Sequence, residues 1–77
     1  MTTKAASKRE RIDAVVAALE AEGLGMTKQE HPLAYIKETE WGKVVFYPNS
    51  LKWQHRGKTI TGSVVEFAGW MRAKGYV

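Results

Sequence analysis

Apolar positions along the chain fall into two helical stripes, separated by a run of strand-like alternation. Ile12, Val15, Val16 and Leu19 follow the i, i+3, i+4, i+7 spacing that lines one side of a helix. Ser7, with Glu10 three residues on, matches a capping box, and Gly23 stands where a helix-terminating glycine belongs. The spacing predicts a helix over residues 8–22, preceded by a disordered tail at residues 1–6. Val64, Phe67, Ala68 and Met71 repeat the stripe, between a second capping box of Ser63 and Glu66 and a terminating Gly75. Trp70 sits on the shoulder of that stripe and reads as core. Gly69, inside the second helix, costs about 1 kcal/mol relative to alanine, which points to close packing against a neighbour.

Between the helices, residues 24–32 read as a connection broken by Gly25 and Pro32. Strands are expected near residues 34–39, 43–47 and 51–56, turning at Trp41-Gly42 and at Pro48-Asn49-Ser50, with residues 59–61 as a short extension. The order α-β-β-β-α predicts one α+β domain over residues 7–77, a three-stranded antiparallel sheet with two helices on one face.

Strand alternation then sorts the residues of the last expected strand by face. Lys52, Gln54 and Arg56 share one side, about 7 Å apart, and Leu51, Trp53 and His55 share the other. That spacing approximates successive phosphates on one nucleic-acid strand, and Lys58 continues the line past Gly57. The same polar row is also what protects an exposed strand from aggregation. Trp53 is expected beneath the helices. His55, with the same parity, is expected half-buried and bonded to a backbone carbonyl. Tyr47, of opposite parity to Phe46, projects toward the basic row as a stacking platform. Trp41 at a hairpin tip either folds over a sheet edge or anchors a partner.

Charge sharpens this picture through its distribution. The 77 residues carry a net +4, but residues 1–11 hold +3, residues 12–40 hold −4 and residues 41–77 hold +5. Lys8, Arg9 and Arg11 crowd the start of the first helix, where the helix dipole favours acids, as if kept for an anionic partner. With no cysteine and two histidines, disulfides and cysteine-based zinc sites are excluded and a structural zinc is disfavoured. No cofactor is implied. No apolar run approaches the roughly 20 residues of a membrane span, and no signal peptide follows the basic start, so no membrane partner and a cytoplasmic location are expected.

Enzyme chemistry finds little support. A hydrolase needs a nucleophile, a base within reach and a group orienting that base, and no spacing links His31 or His55 to such partners. His31, beside Pro32, reads as a turn residue. No phosphate loop, carboxylate pair or metal-spaced cluster is present. The chain is expected to work by binding, without catalysis.

The α-β-β-β-α order resembles the double-stranded-RNA-binding domain and compact toxins built on that plan. The resemblance implies that fold. It does not imply the family's phosphate-gripping lysines, because the start of the second helix reads Thr61-Gly62-Ser63-Val64-Val65-Glu66, with Lys58 nearby. Phe46-Tyr47-Pro48, Lys52-Trp53, Gly57-Lys58, Gly62, Phe67 and Trp70 resemble a pattern in small phage-encoded proteins. That implies a phage accessory protein that binds host machinery or nucleic acid, sometimes as an inhibitor of a defence system. Two functions follow. One is a DNA- or RNA-binding module using Lys52, Gln54, Arg56, Lys58 and Tyr47 with the basic start of the first helix. The other is an inhibitor or adaptor that binds a host protein through Trp41, Tyr47 and Arg56, in one form a homodimer.

Overall fold

A computed structural model describes the backbone of residues 4–77 and the side chains from Glu10 onward. The chain folds as α1 (Lys4–Ala21), β1 (Thr27–Gln29), β2 (Ala34–Thr39), β3 (Gly42–Tyr47), β4 (Lys52–His55), β5 (Lys58–Thr61) and α2 (Val64–Lys74). The sheet is antiparallel in the order β1-β2-β3-β4-β5. The α+β class with two helices therefore holds, but the sheet has five strands where three are expected. The three expected strands correspond to β2, β3 and β4. The two extra strands are short edges: β1 lies inside the expected connection, and β5 is the full form of the expected extension.

The first helix starts at Lys4, so residues 4–6 are helical rather than tail and Ser7 lies inside the helix, not at its cap. The remainder of the expected tail, residues 1–3, lies outside the described residues. Gly23 does end the first helical segment, with its N–H bonded to the Glu20 carbonyl at 3.2 Å. The second helix follows its sequence signals closely. Ser63 and Glu66 close a reciprocal capping box, and Gly75, at φ 76°, takes the left-handed conformation that glycine adopts without steric penalty. The amides of Gly75 and Tyr76 then bond back to Arg72 and Met71, a Schellman ending that folds Tyr76 toward the sheet.

Register explains the core. Tyr35 pairs with Phe46, Phe46 with Trp53, and Trp53 with Ile60, so these side chains line up on one sheet face. Both helices lie on that face: Leu19 comes from α1, and Val64, Phe67, Ala68 and Met71 come from α2. Phe67 is the hub, its ring 4.6 Å from Phe46 and 5.0 Å from Trp53. Gly62 sits in a tight space, since a side-chain carbon there would lie 2.9 Å from the Glu66 carboxylate and 3.1 Å from the Trp53 ring. Gly69, by contrast, is exposed with nothing near it, which corrects the expectation of close packing.

Candidate functional site

The β4–β5 connection places the charged residues. His55 pairs with Lys58, leaving Arg56 and Gly57 as a two-residue hairpin turn. Both turn residues have positive φ, 54° at Arg56 and 78° at Gly57, as a type I′ turn requires. Glycine meets that demand freely. Arginine does not, and positive φ is strained for a long side chain, which is often a mark of a functional position.

This turn rearranges the expected basic row. Lys52 and Gln54 do face away from the helices, but Arg56 has left the strand at the sheet's end. Lys58 pairs with His55 and so stands on the helix-covered side, not in line with Lys52. The open sheet face instead carries a polar ladder: Tyr47 Oη lies 3.4 Å from Gln54 Oε1, and Gln54 Nε2 lies 3.4 Å from Thr59 Oγ1. Gln54 and Arg56 border one shallow hollow with Lys43, while Lys52 is half-buried farther along the strand.

Arg56 and Lys58 meet other groups on the helix side. Together with His55, Trp70, Lys74 and Tyr76 they line a cleft of about 510 Å³, with Ile60 in its wall. Its floor is aromatic. The His55 and Tyr76 rings sit 5.2 Å apart, and Trp70 lies 5.5 Å from His55 and 5.7 Å from Tyr76, all three pairs edge to face. His55 is 8% exposed, and its Nε2 lies 3.4 Å from the Tyr76 hydroxyl, so its partner is a phenol rather than the expected backbone carbonyl. The rim is cationic. Lys74 Nζ stands 6.0 Å over the Trp70 ring, within cation–π range. Among the described residues, neither Arg56, Lys58 nor Lys74 forms an ion pair, and no acidic residue lines the cleft. Three cations around a hollow with no internal counter-charge raise the local anion concentration there.

Trp41 stands next to this region. It is 60% exposed at the hairpin tip. The adjoining Gly42 is close to the cleft, since a side-chain carbon there would lie 3.7 Å from Arg56 Cγ and 3.9 Å from His55 Nε2. Arg11 borders a separate groove between α1 and the Pro48–Leu51 turn, away from the cleft. The side chains of Lys8 and Arg9 lie outside the described residues.

Sequence reasoning missed Trp70, Lys74 and Tyr76 as site residues. Trp70 packs against the core as expected, but it is only half-buried and its exposed side lines the cleft. Their signal was present as a helix ending in Trp70 and then Lys74-Gly75-Tyr76, which the Schellman turn folds back onto His55. His31 is exposed in a turn. No three His, Cys, Asp or Glu residues among the described residues cluster to hold a metal ion, and no helix among them is long and apolar enough to cross a membrane. No protein-family model matches this chain, and neither a curated protein nor a solved structure matches it.

Proposed function

We propose that this chain is a non-catalytic nucleic-acid-binding module whose contact surface is the aromatic-floored cleft between β4, β5 and the end of α2. The observation that carries the reading is the convergence of Arg56, Lys58 and Lys74, free of acidic partners, around the rings of His55, Trp70 and Tyr76. Lysine and arginine hold phosphates, and aromatic rings take bases by stacking. Lys43 and Gln54 border a separate shallow hollow on the open sheet face, outside this surface.

The test is a binding titration against salt. Three phosphates neutralised on a single strand give a slope of about −2 in log affinity against log salt, so affinity falls about fifteenfold between 50 and 200 mM. Affinity independent of salt, or none at the lower salt, sinks the reading.

A second reading rests on Trp41. A tryptophan this exposed beside an arginine has the composition of a protein-interface hot spot. It supports an adaptor or inhibitor that binds a host protein, the role that the resemblance to phage accessory proteins implies. A discrete partner captured from lysate and lost with Trp41→Ala, without nucleic-acid binding, favours it.

A further inference from the structure

Duplex and single strand present different surfaces to a protein. A duplex keeps its bases stacked inside and offers phosphate rows and groove edges, whereas a single strand offers whole base faces. A surface matched to duplex backbone needs cations, but no use is left for a ring-lined hollow between them. Here the cations of Arg56, Lys58 and Lys74 surround such a hollow, and its roughly 510 Å³ falls within the range of small-ligand sites, enough for one nucleotide. The Trp70 indole lines its wall with the Lys74 ammonium 6.0 Å from the ring centre, so a cation and a ring stand side by side in the hollow. A second aromatic side chain stands on the neighbouring hairpin tip: Trp41 is 60% exposed and takes no part in the core. Gly42, next to Trp41 in that hairpin, lies against Arg56, so the strained arginine stands between the cleft and the Trp41 hairpin.

Resting on the nucleic-acid reading above, we infer that the ligand is single-stranded, with one unpaired base seated in the cleft and a neighbouring base against Trp41. Arg56 then meets the phosphate that joins them. Stacking of this kind tolerates any base, because every base offers a ring face. Preference for single strands therefore comes without strong sequence preference.

The experiment compares labelled oligothymidine, oligouridine and a DNA duplex of equal length by fluorescence anisotropy at about 50 mM salt. The expected result is affinity for single strands at least about tenfold above that for duplex. Trp41→Ala and Tyr76→Leu each lower single-strand affinity by about five- to hundredfold, the range of one lost stacking contact. Trp41 lies outside the core, so its variant stays folded even if Tyr76→Leu does not, and circular dichroism checks this. Duplex bound as tightly as single strand, or single-strand affinity unmoved by Trp41→Ala, overturns the single-strand assignment while nucleic-acid binding itself stands. No binding to any of the three overturns both.

Discussion

The two ends of the helix-covered side treat charge in opposite ways. At the end near α1, polar groups answer one another. Tyr35 donates to Glu20 at 2.8 Å, Lys37 Nζ donates to the Leu24 carbonyl at 2.9 Å, and Arg72 pairs with Glu22 at 2.7 Å. At the cleft end, Arg56, Lys58 and Lys74 have no acid to meet. One end spends its polar side chains on holding α1 and α2 against the sheet, and the other leaves its cations facing outward. Cations left unpaired around a hollow are better read as a binding surface than as scaffold, because mutual repulsion gives the fold no reason to gather them.

The strongest way to break the contrast is to remove what joins the two ends. Phe67 is fully buried among Phe46, Trp53 and Trp70, and Phe67→Ala should lower stability by about 3–5 kcal/mol in chemical denaturation and abolish cleft binding with it.

At the α1 end, alkali should act through Tyr35. Burial, the hydrogen bond to Glu20 and the negative charges of Glu20 and Glu30 push the Tyr35 phenol up to about 12 from an ordinary 10. The folded state thus holds this proton more tightly than the unfolded chain. Its contribution is complete below about pH 10 and is lost as pH rises toward 12. Tyr35→Phe should flatten that decline in denaturation midpoints measured across this range.

Smaller effects separate strain from function at the cleft. Arg56→Asn suits positive φ and should stabilise the fold by about 1 kcal/mol in thermal melts, yet weaken anion binding. Gly69→Ala, exposed on α2 away from any neighbour, should add about 0.5–1 kcal/mol of stability without changing binding. A loss of stability there would mean that the second helix needs flexibility at that point.

Much of the scaffold was legible in the chain. The apolar stripe and capping box of α2, the inward parity of Phe46 and Trp53, and the three central strands all follow from local spacing. The edge strands did not: β1 is three exposed residues, Thr27 to Gln29, with no apolar alternation to announce it, and only pairing with β2 makes it a strand. Period-2 alternation puts Arg56 in a row with Lys52 and Gln54, but the strand ends one residue earlier, at His55. The Arg-Gly pair lacks the asparagine that usually announces a type I′ turn, and that single turn residue moves Lys58 to the opposite face. The cleft stayed hidden because it joins residues 55–58 to residues 70–76, a meeting that depends on how the end of α2 folds back.

The central claim is that the unpaired cations of the cleft, not the open sheet face, carry the affinity. The direct measurement sets Arg56→Ala/Lys58→Ala beside Lys43→Ala/Lys52→Ala in the same single-strand titration at about 50 mM salt. Each pair removes two positive charges, so net charge is matched. The account predicts a loss of about tenfold or more with a shallower salt slope for the cleft pair, and less than about threefold for the sheet-face pair. Equal losses, or a larger loss from the sheet face, would contradict it.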